Sequence, residues 1–163
     1  MKAPVDVFQK TVQYFPTVSI NILIQNKNGE FLFVKRKNNP SKGLYWVPGG
    51  RIFAGETLEV ATKRILLGEV GIDAPVDYIS DVFNEEIFST DDFDEEDAKR
   101  YSSETHHVHY LTTIAYVYLE EPQNIKLDAQ SSDFIWSKTR THNHPYHEWY
   151  FELLNKTYKK NNI

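Results

Sequence analysis

The chain has 163 residues, of which 40% are hydrophobic and 25% charged, with a formal charge of −5; this is the profile of one soluble globular domain with a real core, not of a disordered chain. The absence of cysteine excludes a disulfide scaffold, a thiolate zinc site and a cysteine nucleophile. No apolar run approaches the ~20 residues a bilayer span needs, and Met1–Asp6 is not followed by the apolar stretch of a secretory signal, so a cytoplasmic protein without a membrane partner is expected.

In chain order, Val18–Gln25 predicts a strand, Asn26–Gly29 a tight turn and Glu30–Lys35 the hairpin partner, since Asn-Gly supplies the positive φ such turns require. Asn38–Gly43 reads as a loop, and Tyr45–Val47 as a short extended piece ended by Pro48, Gly49 and Gly50. Thr57–Val70 is the clearest helix: Leu58, Ala61, Ile65 and Ile72 form one apolar stripe, and Gly71 stands where a glycine closes a helix. Pro75 to Phe88 reads as strand. Ten acids and only two bases fall within 81–104, so the segment 89–104 is expected to be a solvated loop or insertion. His107–Leu119 has the composition of a central strand, and Asp133–Ser137 that of a short one. Pro145 opens a predicted C-terminal helix to Lys156, packing through Tyr146, Tyr150, Leu153 and Leu154, with 157–163 a frayed tail. The sum is a single mixed α+β domain over 1–163 without internal repeats.

Residues 35–64 hold seven bases against Glu56 and Glu59. A basic stretch beside a glycine-rich turn suits a small anionic ligand; an acidic chain without a long basic stripe argues against nucleic acid. Within this stretch, Gly50 is followed after five residues by Glu56, after seven more by Arg64, and then by Glu69, Gly71 and Ile72. Paired glycines at a loop-to-helix turn let backbone oxygens approach a cation and aim amides at anionic oxygens. Glu56 and Arg64 are spaced to pair across the loop and helix, as a brace. Glu69 stands near a helix end, where the dipole disfavours a carboxylate unless a cation offsets it, and an oxygen ligand there suits Mg²⁺.

This pattern, with Tyr45–Gly50 ahead of it, resembles the Nudix box. The resemblance implies an α/β/α sandwich with a mixed central sheet, and a hydrolase. The usual box has further glutamates at the positions of Ile65 and Gly68, so only Glu69 is retained of a set that holds several ions around a pyrophosphate. A box reduced in this way resembles that of the GDP-mannose mannosyl hydrolases, which break the sugar C1–oxygen bond to release GDP and free hexose. Phe15–Ile20, Asn28–Leu32, Lys35-Arg36, Asn39-Pro40, Thr105–Tyr116 and Leu127–Trp136 carry that likeness further.

The resemblance implies metal ligation by the Gly50 carbonyl, Glu69 and Gln130, with Mg²⁺ (or Mn²⁺) as the ion. It puts Arg36, Arg51 and Arg64 at the diphosphate and leaving group, and Asn21, Tyr110 and Ser131 among the substrate contacts. It also implies a nucleotide-sugar substrate and a homodimer. Ser131 stands where that branch carries its general-base histidine, and a hydroxyl has essentially no basicity near neutrality. His107 and His109, on one face of a strand by period-two spacing, are the substitute base candidates; His106, His142, His144 and His147 are the other histidines. Two alternatives stay open: a Nudix pyrophosphohydrolase giving a nucleoside monophosphate and a sugar phosphate, and a nucleotide-sugar-binding protein with little turnover.

Overall fold

The computed structural model describes residues 4–91, 93–101 and 107–139. Its axis is a parallel pair, β1 (Thr17–Asn26) beside β7 (His107–Leu119), in register from Thr17 opposite Tyr110 to Asn26 opposite Leu119. The other ladders are antiparallel. The turn after β1 returns the chain as β2 (Phe31–Arg36), which pairs with β3 (Tyr45–Trp46) and β8 (Ser131–Ser137). On the far side, β5 (Tyr78–Ile79) and β6 (Asn84–Ser89) both pair with β7. The result is a mixed eight-stranded sheet, in an α+β sandwich as the sequence implies.

Two of the strands depart from the sequence reading. Pro48 to Gly50 do not end the extended segment: Gly49–Arg51 forms β4, antiparallel to β1. A Cβ on Gly49 would lie 2.3 Å from Asn21 Oδ1 and 2.8 Å from the Ile20 carbonyl, so glycine is required here by close approach rather than by a turn. Likewise the expected strand from Pro75 to Phe88 is two short strands, with residues 80–83 between them.

The predicted helix forms as α2 (Leu58–Ile65), capped by the Thr57 hydroxyl accepting from the Val60 amide at 3.2 Å, and then widens into a π-helical turn over Leu66–Val70. Gly71 closes it at φ +70°, the left-handed position glycine takes without strain. Ile65, Leu66, Val70 and Ile72 pack on Ile20, Ile22 and Ile24, the even-numbered face of β1.

The odd-numbered face of β1 is covered at one end by two helices. One is α1 (Val5–Tyr14), in a stretch that the sequence analysis assigns to no element; Phe8 and Val12, one turn apart, are its buried residues. The other is α3 (Glu95–Tyr101), inside the segment expected to be a solvated loop. Its like charges do not prevent ordering, because Asp94 and Asp97 each have a local partner. Asp94 caps the helix by accepting from the Asp97 amide at 3.0 Å and pairs with Lys42, while buried Asp97 accepts from the Asn39 amide at 2.8 Å. Tyr101 joins Phe8, Val12 and Val108 in a small apolar cluster. The predicted C-terminal helix and tail, with His142, His144 and His147, and also His106, lie outside the described residues. Among those described, no helix is long and apolar enough to cross a membrane.

Candidate active site

Where β1, β4, α1, α2 and α3 meet, they enclose a cavity of about 720 Å³. Arg36, Arg51, Arg64, Gly50, Glu69, Gln130, Asn21, Tyr110 and Ser131, drawn from across 110 residues of sequence, all reach its wall. His107 and His109 do not. Side chains alternate across a strand, and Tyr110 points into the cavity, so His109 faces the other side of the sheet, where its Nε2 lies 3.0 Å from Glu85 Oε1. His107 is exposed at the start of β7. No described histidine lines the cavity.

The loop before α2 is held as a unit. Arg64 donates from Nε to Glu56 Oε1 at 2.5 Å and from Nη2 to Oε2 at 2.7 Å, and also to the Arg51 carbonyl at 2.9 Å. Glu56 in turn accepts from the Phe53 amide at 2.9 Å, and the Arg64 guanidinium lies 4.3 Å from the Phe53 ring centre. The Arg64 contact holds the Glu56 carboxyl down at about 2. Arg64 is thereby committed to the brace expected from the spacing, leaving Arg36 and Arg51 as the more available cations. Arg36 donates to the Pro40 carbonyl at 2.8 Å, and Arg51 lies over the Phe8 ring, 3.9 Å from its centre. Burial lowers the Arg51 pKa.

Glu69 is the chemical centre of the other end. The Gly49 amide donates to its Oε2 at 3.1 Å. Burial in the first place, with Asp128 nearby adding to it, pushes its carboxyl up to about 7 against the pull of that amide. A half-buried carboxylate beside a second one is a site that a cation would relieve. A Cβ placed on Gly50 would lie 3.7 Å from Glu69 Oε1 and 3.3 Å from Ile65 Cδ1, so the bare backbone there lets the carboxylate approach β4. Ile65 fills the core at one of the usual glutamate positions, and Gly68 leaves the other open.

Sequence reasoning missed several contributors. Asp128 accepts from the Gln130 amide at 2.8 Å and from its Nε2 at 2.9 Å; the Asp-x-Gln spacing of an Asx turn was a usable signal. Arg100 enters the wall from α3 and was hidden in an acidic run. Glu86, buried in β6, accepts from Thr112 Oγ1 at 2.9 Å, and Thr112 lies 2.7 Å from Ser19 Oγ. The alternation Thr17, Ser19, Asn21 in an otherwise apolar strand was the signal for that polar floor. No group of three or more His, Asp or Glu suited to a metal occurs among the described residues.

The NUDIX domain model matches residues 15–154, a span that includes the braced glycine loop and Glu69 in the last turn of the helix that follows it. The chain belongs to the NUDIX domain family. Among its relatives, the low-salt glycan biosynthesis protein Agl8 of Haloferax volcanii is 31% identical over 154 residues, covering 94% of this chain and 91% of that protein. The ADP-ribose pyrophosphatase of Methanocaldococcus jannaschii is 38% identical over 69 residues, 42% of this chain and 40% of its own. A solved MutT protein from Methanosarcina mazei shares the Nudix fold, with a TM-score of 0.61 at 18% identity over 91% of this chain and 97% of that one.

Proposed function

We propose that this Nudix protein is a divalent-metal-dependent hydrolase of a nucleoside diphosphate joined to a sugar, releasing GDP and free hexose from a GDP-hexose such as GDP-mannose or GDP-glucose by attack of water at sugar C1. The observation that carries the reading is one cavity wall that holds the carboxylates Glu69 and Asp128, the cations Arg36, Arg51 and Arg100, and the rings of Phe8, Phe88, Tyr101 and Tyr110. The relatives support a sugar-linked nucleotide, since one is named for glycan biosynthesis and the other for ADP-ribose.

Glu69, the Gly50 carbonyl and Gln130, with Asp128 beside them, are an all-oxygen set that fits Mg²⁺ or Mn²⁺. When bound, such an ion neutralises diphosphate charge. Arg36 and Arg51 bind the diphosphate and offset the charge that grows on it as the leaving group departs. Arg64 keeps the loop in place through Glu56. Each Asp128 oxygen has a second lone pair after its bond to Gln130, so Asp128 can take the proton from the attacking water near Ser131, where no imidazole stands.

The second reading, cleavage of the phosphoanhydride to a nucleoside monophosphate and a sugar phosphate, is favoured by Asp128 as an additional carboxylate beside Glu69. Hydrolysis in ¹⁸O-water separates the two. Label on the hexose with unlabelled GDP supports attack at carbon; GMP with label on a phosphate product establishes the second reading. Binding without turnover over hours would leave a nucleotide-sugar-binding protein. Size-exclusion chromatography with light scattering tests the homodimer that the resemblance implies.

A further inference from the structure

Arg36 closes β2, and its guanidinium is tied to the loop that follows: Nε donates to the Pro40 carbonyl at 2.8 Å. One fixed N–H sets the plane of the rigid fork and leaves the Nη hydrogens for an anion. The direction of the fork is then as definite as the place of Pro40. Backbone bonds close the loop at its foot, from the Lys37 amide to the Gln130 carbonyl and from the Gly43 amide to the Arg36 carbonyl. Its middle is held from α3. The Asn39 amide donates to Asp97 Oδ2 at 2.8 Å, and the Asn39 carbonyl accepts from the Tyr101 hydroxyl at 3.1 Å. Asp97 and Tyr101 stand four residues apart in α3, so one face of the helix takes both backbone groups of a single residue. The Asn39 carbonyl also belongs to the peptide plane that carries Pro40. Asp97 is 7% exposed, and a carboxylate so buried is kept where hydrogen bonds reward it.

We propose that Asp97 and Tyr101 are positioning residues for Arg36, acting through Asn39 and Pro40 to aim its guanidinium at the bound diphosphate. The inference rests on the reading above in making a diphosphate the anion that Arg36 meets, and it gives α3 a role that a wall-forming helix need not have. Lys42 pairs with Asp94 as well, but both side chains are exposed, and such pairs contribute little. The grip on Asn39 is the buried one. An arginine oriented in advance loses less freedom when its ligand arrives. Loosening the grip therefore weakens the ligand without removing any group that touches it. Arg100, on the same helix, lines the cavity directly, so a loss routed through Arg36 has to be told apart from one routed through Arg100.

Two measurements on the intact chain make that separation. In ¹⁵N-labelled protein, exchange of the Arg36 Nε–H with water is expected to speed about tenfold in Asp97→Ala, on the scale of one hydrogen bond. It should stay near wild type in Asp97→Asn, whose amide oxygen still accepts from Asn39. The Arg64 Nε–H, held by Glu56, is the reference that should not move. Tyr101→Phe keeps the ring in its apolar cluster and should speed the Arg36 exchange about threefold, so the test survives an alanine variant that does not fold. An Arg36 signal unchanged in both variants overturns the proposal. Calorimetric titration with GDP and with ADP, using Ca²⁺ in place of Mg²⁺ to slow turnover, follows the consequence for binding. Asp97→Ala should weaken the better ligand roughly three- to tenfold, and should cost nothing further in an Arg36→Ala background. Losses that add assign the effect to Arg100 or to folding and overturn the proposal. If Arg36→Ala binds both ligands as the wild type does, or the wild type binds neither, the diphosphate reading fails, while exchange of the Arg36 Nε–H still decides the hold from α3.

Discussion

Arg64 and Glu56, eight residues apart on opposite sides of the turn into α2, are joined by two hydrogen bonds of 2.5 and 2.7 Å. The planar fork of the guanidinium fits the carboxylate edge, and no lysine reproduces it. The depressed Glu56 pKa gives the pair a pH signature. A carboxyl at about 2 when folded and near 4.5 when unfolded stabilises the fold in full above about pH 4.5 and loses that contribution as pH falls toward 2. Urea unfolding of the wild type and Glu56→Gln is expected to show a gap that is constant above pH 5 and closes toward pH 2. A gap independent of pH would remove the ion pair from the loop's support.

Glu69 has the opposite sign. Its carboxyl is raised to about 7 in the metal-free chain, so its contribution to stability is present below the unfolded value and is lost as pH rises through about 7. Metal binding must displace that proton. Apparent Mg²⁺ affinity, read from the fluorescence of Trp46 in the cavity wall, should rise about tenfold per pH unit up to about 7 and then level. Glu69→Gln should abolish the slope, raise the Mg²⁺ requirement and lower turnover by orders of magnitude. An unchanged metal titration would remove Glu69 from the ligand set.

Gly49→Ala tests the close approach of β4 to β1. The added methyl meets Asn21 Oδ1 at 2.3 Å and backbone at 2.8 Å, and only the first of these can swing aside. The expected cost is about 1–3 kcal/mol, as for overpacking in a filled interior, visible as a lower urea midpoint with m unchanged. It should also displace the amide that holds Glu69, so metal affinity falls with stability. Wild-type stability in the alanine variant would mean that β4 sits farther from β1.

Ser131→His tests the proton acceptor. Ser131 begins β8 at the cavity wall, and an imidazole there adds general-base assistance worth up to about 10²–10⁴-fold. Turnover of a GDP-hexose should rise and acquire an inflection near roughly pH 6.5. His109→Gln and His107→Gln, on residues that do not reach the cavity, should leave the rate within about twofold. Loss of activity in either would return the base to β7.

The strands around the parallel pair, the turn at Asn28-Gly29 and helix α2 were legible in the sequence because each rests on a local signal: alternation, a positive-φ dipeptide, an apolar stripe with its capping glycine. The brace between Glu56 and Arg64 was legible for the same reason. The part of the wall that α1 and α3 supply was not. Phe8 becomes a site residue only because Arg51 and Tyr101 arrive from elsewhere, and Asp97 is buried only because Asn39 presents an amide to it. Local composition predicts solvation for an acidic run; the long-range partner that reverses it leaves no trace at short range. The histidines of β7 share one face of the strand, but which face lines the cavity depended on β6 and α3.

The clasp between α1 and α3 spans the molecule's sequence: Gln9 donates to the Lys99 carbonyl at 2.5 Å, ninety residues away, and Phe8 meets Tyr101 beside it. Neither helix belongs to the loop-and-helix unit over residues 49–71 that gathers charge. The chamber is thus assembled from an inner part, fixed by glycine contacts and the Glu56–Arg64 grip, and an outer part held by contacts of its own. Substitutions along α1 and α3 re-cut the outer wall and reach the inner one chiefly where Arg51 lies over Phe8, so chains alike through residues 49–71 can differ in the molecules they admit.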